Sequence, residues 1–491
     1  MRICLLTGGG YPYRRDALAG WCRTLVDGLR HVAFDLLTIT DREPPGAPAY
    51  PLPMHVTSAR AVLIRPTPEV RRRRAADRDA TAAAAMLCQS LLDETDSFVQ
   101  GLRRLALLPE APLSRVPLAE LLLEAWRSGP AEHRSLPRLG PRDARTAATL
   151  LRHAARVLDV PVPATDLVHC VGGTTPLLAA LAGRWRHGVP LLLTDARAPV
   201  ARLRTAEERL SPAVRAVLHR FRRAVIRAGY AEAGLIAPLS AYHHSWALQH
   251  GARPSRLVSV PAGAKPVEYP NPPENAPPSL VWAGGGGPDS GLRPLLHAFR
   301  AVVAAVPDAV LHLVGVLPAH QDECAEDVDR TGLGRAVRLH PLPADQNERY
   351  AAGHVVVHMP GPADPPYRLV EAMMSGRAVI GVDVGPTAET LGEAGLLVRP
   401  DDPAALATAC IALLRSPTRR RSLGDAARRR ALAYFTSDRV VRAYGALYSD
   451  LTGPPPEPQY ELALSVTAPR TALPATMRWL TSTAADHRSS S

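Results

Sequence analysis

The sequence predicts an α/β protein made of two Rossmann-like halves that face a cleft, with a helical insertion in the first half. Three observations carry this. Short apolar runs alternate with amphipathic ones, strand then helix, in two series, one opening at Ile3 and the other at Ser279. Between the series, six prolines from Pro266 to Pro278 can continue neither a helix nor a central strand, which places a linker there. The length, 491 residues, exceeds what one hydrophobic core carries and calls for about two to three domains.

Ile3–Leu6 reads as the first strand, closed by the turn Gly8-Gly9-Gly10. A helix over Ala17–Leu29 and a strand over Phe34–Ile39 follow and open a βαβ unit. From about residue 75 to 160 the chain is rich in Ala, Leu and Arg, and helices over Ala82–Leu105, Leu118–Trp126 and Arg142–Leu158 make the insertion. The four arginines Arg71–Arg74 that open it fit a solvated helix start better than a binding patch. Strands at Leu167–Cys170, Leu191–Thr194, Gly234–Ala237 and Leu257–Val260 complete the first sheet. After the linker come the strand Ser279–Ala283, the turn Gly284–Gly287 and a helix over Leu292–Val306. Val310–Val314, Val337–His340, Val355–His358, Ala378–Val382 and Gly395–Val398 read as buried parallel strands. Helices cover Ala404–Leu414 and Leu423–Leu447, and the prolines after Gly453 end the folded chain. The expected units are residues 1–265, residues 279–435, a helix over 436–452 crossing back to the first domain, and a disordered tail over 453–491.

Composition narrows the function. Hydrophobic residues at 46% and charged residues at 21% exclude a chain disordered as a whole. The net charge of +12 would suit an anionic partner, but 5% aromatics leave few stacking platforms, so no nucleic acid is expected. All but one of the 58 basic residues are arginine, Lys265 being the exception, which reads as compositional bias. Six scattered cysteines, with no CxxC pair and no histidine ligand set, indicate neither a metal site nor a disulfide framework and fit a reducing cytoplasm. The N-terminal apolar run is too short for a signal peptide, and no stretch reaches about 18 apolar residues, so membrane contact would be peripheral, at the inner face.

One motif is specific. Tyr367-Arg-Leu-Val-Glu371-Ala-Met-Met-Ser-Gly376, running on to Asp383-Val-Gly385, Glu389 and Gly395-Leu-Leu-Val-Arg-Pro-Asp-Asp-Pro403, resembles the nucleotide-sugar half of the retaining GT-B glycosyltransferases of glycosyltransferase family 4. Gly10-Tyr11-Pro12-Tyr13 with Trp21, and Trp185-Arg-His-Gly188 before Leu191–Thr194, are similar to the bacterial exopolysaccharide branch typified by the Pel polymer glycosyltransferase. The resemblance covers about residues 1–60 and 165–450. It implies a GT-B architecture with an acceptor-side first domain and a nucleotide-sugar second domain. It also implies transfer from a UDP-type donor, without a metal or other cofactor, to a polysaccharide or glycolipid acceptor. An active glycosyltransferase or a membrane polysaccharide-export protein would be the protein partner. The donor-binding candidates are Glu371, Glu389, the turn residues Gly284, Gly285 and Gly286, and Arg293; no catalytic residue is assigned.

The same resemblance exposes departures. The family's arginine and lysine, which hold the diphosphate, fall here on Gly285 and Ser290, next to Asp289. Its first glutamate falls on Ala363, with Asp364 one residue off; its glycine pair is Asp16-Ala17; and its histidine is Ala196. Loss of both cations removes charge-assisted bonds from the leaving group. Two readings follow: a glycosyltransferase whose glycine turn replaces the cations, or a catalytically inactive pseudo-glycosyltransferase that serves as a partner or nucleotide-sensing subunit. The pairs His243-His244, Asp166 with His169, and His354 with His358 lack the rest of a site and read as core or surface groups.

Overall fold

The chain is described here by a computed structural model, which covers residues 1–40, 43, 46–64, 78–93, 97–108, 112–129, 136–195, 209–271, 273–274, 277–287, 290–341, 348–361 and 364–453. Arg71–Arg74, Ala196, Asp289, Ala363 and the tail from 454 onward lie outside the described residues.

Two six-stranded parallel sheets organise it. The first joins β1 (Arg2–Gly8), β2 (Ala33–Thr40), β3 (Val56–Leu63), β4 (Leu167–Val171), β5 (Leu191–Asp195) and β6 (Leu235–Pro238) in the order β3-β2-β1-β4-β5-β6. The second joins β7 (Ser279–Ala283), β8 (Val310–Val314), β9 (Val337–His340), β10 (Val355–His358), β11 (Ala378–Val382) and β12 (Leu396–Val398) in the order β12-β11-β10-β7-β8-β9. Central strands such as β4 and β11 are buried at every residue because helices cover both faces. Strand order reverses between β1 and β4 and between β7 and β10, and these reversals open the crevices where such sheets bind ligands.

The first domain carries α1 (Ala17–Gly28), then the insertion helices α2 (Arg78–Asp93), α3 (Ser97–Leu107), α4 (Leu118–Ser128) and α5 (Pro141–Ala155). These pack with α6 (Thr174–His187) and α7 (Pro212–Glu232) in one apolar cluster that includes Leu87, Phe98, Leu102, Leu122, Leu151 and Phe221. The stretch Ala82–Leu105, expected as one helix, is thus two, α2 and α3. α8 (Ala241–Gln249) completes this half. The second domain carries α9 (Leu292–Ala305), α10 (Gln321–Arg330), α11 (Tyr367–Met374), α12 (Thr387–Leu391), α13 (Pro403–Arg415) and α14 (Pro417–Tyr434); α15 (Ser437–Thr452) packs on α1.

Three further elements depart from the sequence reading. β3 was not expected, because its alternation is broken by Arg60 and polar groups; its Thr57 and Ser58 hydroxyls bond the buried Asp35 carboxylate, which Arg2 also pairs. Leu257–Val260 is not a ladder strand: Val258 and Val260 donate to the Ile236 and Pro238 carbonyls beside β6, and the pairing amounts to an isolated bridge between Leu257 and Ile236. The helix expected over Leu423–Leu447 breaks at Phe435-Thr436. There Ala264 donates to the Phe435 carbonyl and accepts from the Ser437 amide, both at 2.9 Å, so the linker is stitched between α14 and α15.

A second apolar cluster runs through both domains. It joins Leu5, Trp21 and Leu25 to Tyr444 and Tyr448 of α15 and to Tyr367, Val370 and Met373 of α11. Trp21, 2% exposed, sits at its centre with ring centroids 5.2 Å from Tyr444 and 6.1 Å from Tyr367. Burial of such aromatic area holds the two halves together more strongly than any single polar contact.

Candidate functional site

The crevice between β7 and β10 is bordered by the glycine turn and by the start of α11. In the turn, the Gly284 amide donates to the Val314 carbonyl at 3.1 Å and the Gly285 carbonyl accepts from Leu317 at 3.0 Å. Gly286 has φ +80°, and a Cβ there would lie 2.7 Å from Cys324 Sγ, so only glycine fits. Part of the turn's hydrogen-bonding capacity is therefore internal. The turn continues to Ser290, whose Oγ is buried with no hydrogen-bond partner, and to Gly291, which starts α9 without a side-chain cap. A Cβ on Gly291 would lie 2.7 Å from Met359 Cβ, so the start of α9 packs against the residue that follows β10.

Glu371 lies on α11 and is 8% exposed. Its Oε2 accepts from Arg349 Nη1 at 2.5 Å and from the Tyr350 hydroxyl at 3.1 Å. Burial disfavours the Arg349 charge, but the Glu371 carboxylate outweighs it and holds the guanidinium above its usual range; burial and the same carboxylate push the Tyr269 phenol up. The carboxylate is thus enclosed by the protein's own donors. Arg349 was not singled out by sequence reasoning, and no motif marks it.

Glu389, on α12, reaches across the crevice. Its two oxygens accept from the Ala241 amide at 2.9 Å and the Tyr242 amide at 3.0 Å, the first N–H groups of α8 in the other domain. A carboxylate there is favoured by the helix dipole. Arg430 secures α12 from behind by donating to the Thr390 and Glu389 carbonyls. Arg293, on the first turn of α9, is committed to α10: its Nε donates to Asp327 at 2.9 Å and its Nη2 to Glu323 at 3.2 Å. Sequence reasoning offered it as a donor-binding residue, and the structure pairs it with two carboxylates.

Other singled-out residues have structural duties. Asp16 caps α1 by accepting from the Ala19 amide at 2.8 Å, and Asp364 accepts from the Gly361 amide at 2.9 Å inside its own turn. His169 is fully buried between Thr194 Oγ1 and the Tyr448 hydroxyl, both at 2.7 Å, and burial lowers it to about 3. His243 bonds Ser240, and His354 bonds Ser279, at the opposite end of β10 from His358. Asp166 accepts from the Arg2 amide rather than from His169. Among the described residues no group of three or more His, Cys, Asp or Glu is placed to hold a metal, and the six cysteines are free and buried.

Two parallel-sheet domains meeting at a crevice, with the chain's last described helix packed back on the first, define the GT-B class of glycosyltransferase folds. The chain belongs to the family described as "Domain of unknown function (DUF3492)", which matches residues 1–255. Residues 277–416 match "Glycosyl transferases group 1". No curated protein matches the sequence. Among solved structures, the chain is similar to the sucrose-phosphate synthase of Thermosynechococcus elongatus, with a TM-score of 0.59, 19% identity and 92% of this chain against 98% of that one. HepE of Anabaena in complex with UDP gives a TM-score of 0.55 at 16% identity, over 92% and 100% of the two chains. A glycosyltransferase from Rickettsia africae gives 0.53 at 11% identity, over 92% and 99%. Among the described residues no helix is long and apolar enough to cross a membrane.

Proposed function

We propose that the chain is a retaining glycosyltransferase of family 4, of the Pel-like exopolysaccharide branch, which moves a sugar from a UDP-type donor to a polysaccharide or glycolipid acceptor without a metal. One observation carries this. At the strand-order reversal of the segment similar to group 1 glycosyl transferases, α9 and α11 begin at the ends of adjacent strands with no side-chain cap and no acidic residue in the first turn. Uncapped helix N-termini accept anions, and a departing nucleoside diphosphate is the anion this reaction creates. The bond from the sugar's anomeric carbon to the diphosphate oxygen breaks, the bond to the acceptor hydroxyl oxygen forms, and the acceptor's proton leaves with the diphosphate. The HepE structures with UDP and with UDP and glucose support this donor class. Free cysteines favour the cytoplasm, where the acceptor would be met at the inner membrane face beside an export protein.

A second reading, an inactive partner or nucleotide-sensing subunit, is favoured by Glu371, whose carboxylate is held by Arg349 and Tyr350. Calorimetric titration with UDP, GDP and their sugars, followed by donor-turnover assays, separates the two. Turnover supports the transferase; binding without turnover supports the sensor and sinks the transferase.

A further inference from the structure

We propose that Arg368 supplies the cation that the β7 turn lacks, and that with Ser290 and His358 it forms a diphosphate subsite between the starts of α9 and α11. The proposal rests on the donor reading above.

Arg368 lies on the first turn of α11 and is half-buried. Its guanidinium has no hydrogen bond or ion pair with any described residue. In the same domain Arg293, Arg349 and Arg420 are held by carboxylates, and Arg377 and Arg428 by carbonyls. A partly desolvated cation without an internal partner is stabilised by an anion from outside.

What surrounds it suits a phosphate. α11 follows Pro366 with no side-chain cap and no carboxylate in its first turn. His358 ends β10, and burial, then the charge of Arg368, hold it near 3, so at neutral pH it is an uncharged ring that can donate one N–H. Asp364, the nearby acid by sequence, is turned to its own loop amide. Across the crevice, Ser290 Oγ is buried without a partner, two residues before α9. β7 and β10 are adjacent and parallel, so α9 and α11, although they pack on opposite faces of the sheet, both begin at its carboxyl edge, where Gly291 packs against Met359 just after β10. The glycine turn lost its two cations, and the neighbouring helix presents one.

The test is calorimetry of the full chain and of Arg368→Gln, Arg368→Lys and Ser290→Ala against UDP, uridine and pyrophosphate, with thermal melts to confirm folding. Arg368→Gln is expected to weaken UDP at least about ten-fold, as loss of a charge-assisted bond does, and to leave uridine unchanged, while Arg368→Lys recovers part. Ser290→Ala is expected to weaken UDP and pyrophosphate by a smaller factor. Undiminished UDP binding by Arg368→Gln would overturn the subsite and leave the donor reading standing. Pyrophosphate binding that depends on Arg368, without any preference for UDP, would keep the subsite and remove the nucleotide reading. If the wild type binds neither UDP nor pyrophosphate, both fall.

Discussion

The two halves of the chain open alike, with a strand, a glycine turn and a helix, and then treat the start of that helix in opposite ways. In the first half Asp16 closes α1 with its own carboxylate; in the second, α9 starts on Gly291 without a cap and beside an unpartnered Ser290 hydroxyl. The histidines repeat the contrast. Both ring nitrogens of His169 on β4 are hydrogen-bonded, whereas His358 on β10 has no hydrogen-bond partner among the described residues. Equivalent places in a repeated architecture thus serve two ends. The first crevice is sealed by internal bonds, and the second keeps donors for something that is not part of the chain.

The largest expected effect tests the sealed part of the second half. Glu371→Ala leaves Arg349 buried without a counter-charge and is expected to cost about 3–5 kcal/mol in urea unfolding. A loss below about 1 kcal/mol would mean that Glu371 is as open as the start of α11. Next comes acid. His169 is held near 3 in the fold against about 6.5 in the unfolded chain, so the unfolded state takes up the proton first. Stability is therefore complete above about 6.5 and falls as pH drops toward 3, by about 2 kcal/mol between pH 7 and pH 5 for this one group. His169→Asn should flatten that slope in urea titrations at pH 5, 6 and 7; an unchanged slope would place the acid sensitivity elsewhere. Asp16→Ala, which makes α1 as open as α9, is expected to lower stability by about 1 kcal/mol in the same assay. Smallest in stability is Glu389→Gln, since its bonds to α8 are exposed. Its effect should be read as a larger radius of gyration in solution scattering, and an unchanged radius would show that the aromatic cluster around Trp21 alone sets the domain approach.

Much of the architecture is legible because it rests on local patterns. The continuous apolar runs at Val355–His358 and Ala378–Val382 can only be buried strands of a parallel sheet, and they are. The linker prolines and the glycine turn are equally plain. What escaped depends on partners far away in sequence. β3 is an edge strand stabilised by Asp35, 22 residues from Thr57, and the break between α14 and α15 is bridged by Ala264 from far upstream in the chain. At the site the same limit holds. Glu371 and Glu389 were visible as motif residues, but not that one faces Arg349 and the other the amides of α8, 148 residues upstream of it. Arg368 stood inside the quoted motif, and its lack of a partner is a property only of the assembled domain.

The return of α15 also has a consequence for biosynthesis. Tyr444 and Tyr448, which complete the hydrogen bonds of Thr194 and His169 and cover Trp21, are made after the whole second domain. Until the ribosome has released residue 448, the first domain holds a buried histidine and an indole that no chain yet covers. Order of synthesis and order of completion are therefore reversed: the half translated first is finished last, and a nascent chain stalled before α15 is expected to need a chaperone.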